Sequence, residues 1–405
     1  MLETFSETDL KYSDFLELLG RPDCPTEFCI HILENGSSTM EKREALSSIG
    51  RKKDVINKPL LFQYAEHQNP EVAMQAIRGL LVFRGDQDVS DLLQKLTSHP
   101  NDMIKDLADV EIMSEHQKNE TSHTESPDEL KNLLIEGDVA KILQSIPDDS
   151  IHLTFTSPPY YNARDYSIYS SYTEYLNFLE TVFIQVHRVT KEGRFFVLNT
   201  SPVIVPRVGR KYSSRRYAVP FDLHARLTQM GWDFIDDIIW AKPEKSAKNR
   251  ISNFNQNRKP LTYKANSCTE YVMVYRKKSR RLIDWNLRQY DSDVLTSSLV
   301  DDHFERSNIW QIAPKSSKLH TAIFPEQLCK QVIKLYSFVG DLIFDPFAGS
   351  GTLGIVAKQL QRYYLLTELC KEYADVIENR LGLPEINSIA FRRMTLQQFI
   401  DDNRS

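Results

Sequence analysis

Two short runs in this chain combine residue types that have a definite chemical use. The first is Ser157-Pro158-Pro159-Tyr160, which follows Thr156 at the end of an apolar stretch. Each proline removes a backbone donor and disfavours helix in the residue before it, so Ser157 and Pro158 are held extended with their carbonyls free. The Ser157 hydroxyl and the Pro158 carbonyl can then accept the two hydrogens of an amino group. The Tyr160 ring offers a face to a base, and such stacking contributes about 1–3 kcal/mol. The second run is Asp345-Pro346-Phe347-Ala348-Gly349-Ser350-Gly351-Thr352. Its glycines permit positive φ and let a ligand approach bare backbone. A helix beginning near Thr352 would present unpaired N–H groups to a carboxylate. The run is not a P-loop, because no Gly-Lys-Ser/Thr follows. Nor is it the dinucleotide turn, because Asp-Pro-Phe precedes the glycines. An amine grip and a small-cofactor cradle in one chain describe group transfer to an exocyclic amine, with DNA as the expected substrate.

Both runs need strands to carry them. Ile151, Leu153 and Phe155 alternate with His152 and Thr154, and Leu342 to Phe344 is an apolar run of strand length. Further strands are expected at Leu133 to Ile135, Phe195 to Leu198, Phe234 to Trp240, Tyr271 to Tyr275 and Tyr364 to Leu366. Between them, apolar residues recur at helical spacing around 172–186, 223–230, 324–337, 353–360 and 373–381. This alternation predicts an α/β fold, a mostly parallel sheet with helices on both faces. Ligands in such sheets sit at the carboxyl ends of the strands, where both runs fall. Glu368, at the end of the strand from Tyr363, is placed to accept hydrogen bonds from ribose hydroxyls.

The first 115 residues read differently. Ala45, Ala76 and Ala108 recur at a period of 31 to 32, each followed four residues on by Ile49, Leu80 or Ile112. That is close to the length of a helix pair, so residues 1–115 are expected to form an all-helical domain, a HEAT-like array or a plain bundle. Residues 116–130, poor in large apolar side chains, read as a linker. Residues 131–385 are expected to form the α/β catalytic domain, and 386–405 a C-terminal tail.

The Asp-Pro-Phe-Ala-Gly-Ser-Gly-Thr string resembles the S-adenosylmethionine motif of amino-methylating DNA methyltransferases. With Ser-Pro-Pro-Tyr placed before it, the order resembles the β class, over roughly residues 133–381. The resemblance implies a Rossmann-like methyltransferase sheet, S-adenosyl-L-methionine as cofactor and a DNA-recognition insertion at about 243–318. It places Thr156, Asp345, Pro346, Phe347, Gly349, Ser350, Gly351 and Thr352 around that cofactor, with Glu368 on the ribose. Asp138, just after a strand, resembles the family's adenine-side acid. The segment from His320 through Phe324 and Pro325 resembles the one that caps the methionine moiety. Serine in the first position of the tetrapeptide is the usual choice for cytosine N4, aspartate or asparagine for adenine N6. The implied activity is therefore methylation of cytosine N4 on a base flipped out of double-stranded DNA. N6-adenine methylation and a catalytically silent DNA-binding regulator are the alternatives. A cognate restriction endonuclease or defence-system subunit is the implied partner.

Charge and composition bound these readings. The chain of 405 residues is 41% hydrophobic and 26% charged, with a net charge of −5, which suits a globular protein with a sizeable core and gives no general pull toward nucleic acid. Twelve basic side chains nevertheless lie between Lys242 and Arg281, among them Lys245, Lys248, Arg250, Arg258, Lys259 and Lys264, against Glu244 and Glu270. A second basic stretch holds Arg207, Arg210, Lys211, Arg215 and Arg216. Both are expected to hold phosphates, the alternative being a solvated face. Five scattered cysteines, none in a Cys-x-x-Cys pair, predict no metal site and reduced thiols. No apolar run reaches membrane-spanning length and no signal-peptide pattern opens the chain, so a cytoplasmic location is expected, and the family resemblance implies a bacterial host.

Overall fold

The computed structural model describes residues 18–21, 23–36, 38–114, 125–161, 169–205, 211, 215–246, 258, 260–261, 265–279, 281, 283–301, 304–314, 324–382 and 389–402. The chain divides into two compact units, Met1–Glu120 and Thr121–Ser405.

The first unit is built from helix pairs: α1 (Thr26–Asn35) with α2 (Thr39–Arg51), α3 (Lys58–Ala65) with α4 (Pro70–Leu80), and α5 (Gln87–Leu96) with α6 (Asp102–Ser114). Local chemistry sets the starts. Ser38 and Glu41 form a reciprocal capping box on α2, and Asn69 caps α4 with Pro70 in its first turn. The second helix of each pair stacks on the next, α2 on α4 and α4 on α6. The recurring alanines Ala45, Ala76 and Ala108 are fully buried. Between α2 and α4 two glycines meet: a β-carbon on Gly50 would lie 2.9 Å from Gly79 Cα. Gly50→Val should therefore destabilise this unit by about 1–3 kcal/mol through overpacking. Scanning calorimetry on the full chain should resolve a transition moved to lower temperature.

The second unit is a nine-stranded mixed sheet in the order β11-β1-β10-β9-β2-β3-β7-β6-β8. The strands are β1 (Leu133–Glu136), β2 (Ile151–Thr156), β3 (Thr190–Thr200), β6 (Trp232–Ala241), β7 (Thr269–Lys277), β8 (Ile309–Gln311), β9 (Leu342–Asp345), β10 (Tyr363–Glu368) and β11 (Arg392–Thr395). From β11 to β3 all neighbours are parallel. β7 runs antiparallel to both β3 and β6. A separate hairpin pairs β4 (Val203–Val205) with β5 (Arg215–Tyr217).

Helices cover both faces, as the alternating pattern requires. α7 (Tyr172–Val189) and α8 (Val219–Gln229) bury Tyr175, Leu179, Phe183 and Leu223 on one side. α9 (Glu326–Tyr336), α10 (Thr352–Gln359) and α11 (Lys371–Leu381) bury Leu328, Val332, Val356 and Ile377 on the other.

Two segments differ from the sequence expectation. Residues 125–130, assigned there to the linker, pack into this unit: Ser126 is buried and its hydroxyl donates to the Ser150 carbonyl at 2.6 Å, while Leu130 is fully buried. The segment 386–405, expected as a tail, contains edge strand β11 and α12 (Leu396–Asp402), whose Phe399 enters the core. β11 escapes a hydrophobicity-based reading because charge holds it: Arg393 pairs with Glu136, Asp375 and Glu378. Among the described residues no helix is long and apolar enough to cross a membrane.

Candidate active site

β9 and β2 lie side by side in the middle of the sheet, and the chain leaves them in opposite directions. From β9 it passes through α10 on one face to β10; from β2 it passes through α7 on the other face to β3. That divergence opens a crevice at the carboxyl ends of the two strands, the topological switch point where ligands of open α/β sheets bind. The two informative sequence runs begin there. The Thr156 hydroxyl donates to Asp345 Oδ1 at 2.6 Å, joining them directly.

The residues expected around a cofactor line up along this edge. Asp138 follows β1 and caps a short helical turn, accepting from the Ala140 N–H at 3.0 Å. The Gly137 N–H donates to the Glu368 carbonyl at 2.9 Å. Glu368 Oε2 accepts from the Gly349 N–H at 2.8 Å, and its Oε1 accepts from the Cys370 N–H at 2.9 Å. Asp138, Glu368, Asp345 and Ser157 thus close four successive strands, spanning about 14 Å at the usual interstrand spacing. Gly349 and Gly351 both have positive φ, which the tight turn requires. Gly351 has a second reason to be glycine: a β-carbon there would meet Ile377 Cγ1 at 2.9 Å, so the loop is pressed onto α11. Ser350 and Thr352 are buried, and α10 starts at Thr352 with no side-chain cap on its first N–H groups. Phe324 stacks on Phe155 with ring centroids 4.7 Å apart, and Pro325 opens α9. Residues 320–323 lie outside the described residues.

Burial governs the charges here. Asp345 is pushed up to about 7 by burial and further by the Glu368 carboxylate, against the opposing bonds from Thr156 and the Phe347 N–H. Burial likewise raises Glu368 above the ordinary carboxylate range, against bonds from the Cys370 and Gly349 N–H groups. Two acidic groups, Asp345 buried and Glu368 partly buried, beside a backbone loop suit a cationic ligand. Among the described residues no group of His, Cys, Asp or Glu is arranged to hold a metal ion.

The tetrapeptide sits in a network that the sequence reading did not anticipate. The Tyr160 hydroxyl donates to Glu270 Oε2 at 2.9 Å, and Asn199 Nδ2 donates to the same oxygen at 2.7 Å. Asn199 Nδ2 also lies 3.4 Å from Ser157 Oγ. Lys242 pairs with Glu270 Oε1 and places its ammonium 4.3 Å from the Trp240 ring centroid. Burial, then the Glu270 charge, pushes the Tyr160 hydroxyl well above its ordinary value. Strand direction explains the convergence. Asn199 is near the carboxyl end of β3; β7 is antiparallel to it, so its amino-terminal Glu270 reaches the same edge; β6 reverses again and delivers Lys242. Asn199, at the end of the apolar run Phe195 to Leu198, was findable from the carboxyl-end rule. Lys242, just past the carboxyl end of β6, falls under the same rule; Glu270 does not, because it stands at the amino-terminal end of an antiparallel strand.

The basic residues divide. Arg215 and Arg216 are exposed on β5, whose Tyr217 meets Tyr161 and Tyr172 at 5.1 and 4.4 Å between centroids, so the hairpin is docked beside the tetrapeptide. Lys211, Lys245 and Arg258 are exposed as well. Arg207, Arg210, Lys248, Arg250, Lys259 and Lys264 lie outside the described residues. Four members of the run from Lys242 to Arg281 turn inward instead. Besides Lys242, Arg276 donates to the Gly193 carbonyl, Lys277 pairs with Asp149 and bonds the Thr190 carbonyl, and Arg281 is buried against Trp285. These long side chains tie β7 to its surroundings and are not part of a phosphate-facing surface.

Residues 151–379, more than half of the chain, match the family model of the N6/N4 methyltransferases, described as DNA methylase. The chain belongs to this DNA methylase family. Among relatives of this methylase, the type II methyltransferase M.Cfr9I of Citrobacter freundii is 30% identical over 303 residues, covering 67% of this chain and 94% of its own. The orphan methyltransferase M.BamHII of Bacillus amyloliquefaciens is 32% identical over 259 residues, covering 59% and 91%. In structure, the methylase matches TTHA0409 from Thermus thermophilus, complexed with S-adenosyl-L-methionine, at a TM-score of 0.52 and 26% identity over 65% of this chain and 97% of that one.

Proposed function

We propose that this S-adenosylmethionine-dependent DNA methyltransferase acts on the exocyclic N4 of cytosine, and that the edge from Asp138 to Ser157 is its active site. The observation that carries the reading is the direct bond between Thr156 and Asp345, which joins the strand ending in Ser-Pro-Pro-Tyr to the strand ending in the glycine loop. The residues present fit the cofactor. Asp345 offers a carboxylate to its cationic end, the uncapped start of α10 offers N–H groups to its carboxylate, and Glu368 ends β10 while Asp138 follows β1. Pro346 and Phe347 fix the entry to the loop, and Phe324 with Pro325 closes it from the α9 side. When bound, S-adenosylmethionine supplies an electrophilic methyl group.

The chain's own residues then do three things. Ser157 Oγ and the Pro158 carbonyl accept the two amine hydrogens, turning the nitrogen lone pair out of conjugation with the ring. Pro159 keeps that segment extended. Tyr160, tied by its hydroxyl, presents its ring to the base. Flipping the base out of the duplex costs a few kcal/mol, which stacking and the two amine bonds offset. The exposed Lys211, Arg215, Arg216, Lys245 and Arg258, with the basic residues outside the described segments, are proposed to hold the phosphates.

Serine at position 157 supports cytosine N4 over adenine N6. A restriction-modification or related defence system is the setting we propose, since type II methyltransferases stand among the relatives; a cognate endonuclease is part of that proposal. Nucleoside mass spectrometry of DNA from cells expressing the chain tests the base: N4-methylcytosine is expected, and N6-methyladenine in its place overturns the assignment.

A further inference from the structure

Glu270 receives more hydrogen bonds than any ordinary surface acid needs. Its two oxygens take three donors: Tyr160 and Asn199 on Oε2, Lys242 on Oε1. Its side chain is only 12% exposed, and charge-assisted bonds of this kind are the strong ones. An ionised carboxylate only accepts, so the Asn199 amide must turn Nδ2 toward it and cannot flip. That orientation fixes two further atoms. Nδ2 is brought within 3.4 Å of Ser157 Oγ. Asn199 Oδ1 is left as a buried acceptor with no partner among the described residues, a group that a donor on the substrate would satisfy and that is costly to bury otherwise.

We infer that Glu270 is the positioning residue of the catalytic tetrapeptide: one carboxylate sets the tilt of the Tyr160 ring and, through the Asn199 amide, the direction of the Ser157 hydroxyl, with Lys242 as its counter-charge. The inference rests on the proposed roles of Ser157 and Tyr160. It adds that their geometry is imposed from β7 and β6, the antiparallel part of the sheet, and is not set by β2 alone. Glu270 touches neither cofactor nor base; it acts through the two residues that do.

The test is Glu270→Gln. Glutamine offers one oxygen where the carboxylate has two, and its amide nitrogen must face either Lys242 or the Tyr160–Asn199 pair, both of them donors. Turnover of tritiated methyl from S-adenosylmethionine into DNA should fall about 10- to 100-fold. The melting temperature should fall, because the amide nitrogen must face a donor, but cofactor affinity by calorimetry should stay at the wild-type value. A merely structural role would lower turnover only as far as it lowers cofactor affinity and the folded fraction. Tyr160→Phe removes one of the three donors while leaving the ring. In that background Glu270→Gln should lose part of its effect, and full additivity of the two changes overturns the coupling. Wild-type turnover in Glu270→Gln overturns the inference outright, whereas a wild-type protein that transfers no methyl overturns the functional reading beneath it. Should Glu270→Gln fail to fold, Asn199→Ala takes its place: turnover lost with cofactor affinity kept supports the inference, and turnover kept overturns it.

Discussion

Ser157→Ala should lower the rate of methyl transfer about 100- to 1,000-fold, the usual loss when one preorganised polar contact to the reacting group is removed. The argument is geometric. Pro158 and Pro159 deny the segment any helical alternative, so the backbone keeps its shape when the hydroxyl is deleted. Only the acceptor for one amine hydrogen disappears, and the nitrogen lone pair falls back toward conjugation with the ring. Cofactor affinity should be untouched, since the glycine loop belongs to β9 and α10. Single-turnover transfer measured beside calorimetric cofactor binding separates the two effects. Unchanged transfer would falsify the role given to Ser157.

Cofactor affinity should also rise with pH and level off above about 7. Burial holds Asp345 protonated up to about 7 in the free protein, while a cationic ligand binds the carboxylate form. Binding therefore releases a proton, and the dissociation constant should fall about tenfold per pH unit below 7. The same group works against the unliganded fold. Its folded value lies above the ordinary carboxylate value of 3.8, so the folded state holds the extra proton between about 4 and 7. Its contribution to stability accordingly declines as pH rises through that window. Asp345→Asn separates the two consequences. Thr156 and the Phe347 N–H both donate to Oδ1, so an amide oxygen keeps both bonds and only the charge is lost. The variant should bind cofactor more weakly at pH 8, show a flat pH profile, and melt at a higher temperature than wild type above pH 7. Calorimetry in buffers of different ionisation enthalpy reads the released proton; a flat profile in the wild-type protein would contradict the account.

Much of this site was legible in the sequence because buried parallel strands announce themselves. Ile151 to Phe155, with apolar residues at alternate positions, and the apolar Leu342 to Phe344 are short and followed by prolines that end the strand, and ligand chemistry belongs at their ends. The helical positions followed from their 3.6-residue spacing for the same reason. What escaped depends on pairing between distant segments. Glu270 and Asn199 are 71 residues apart, and nothing local to either says that an antiparallel strand will carry an acid to the edge where a parallel strand delivers an amide. Charge misled in two places. Arg276, Lys277 and Arg281 sit in a basic run yet serve internal carbonyls and carboxylates. Arg392 and Arg393 made a strand resemble a tail, although ion pairs with neighbouring elements hold it in the sheet.

Thr156 and Asp345 touch in the folded protein but lie 189 residues apart along the chain. At an elongation rate of about 5–20 residues per second, roughly 10–40 s of synthesis separates them on the ribosome. An emerging polypeptide thus carries Ser-Pro-Pro-Tyr, though not yet the Glu270 that orients it, well before it owns the glycine loop. Unfinished copies lack the glycine loop, and the crevice between the two strands is complete only when the later segment docks.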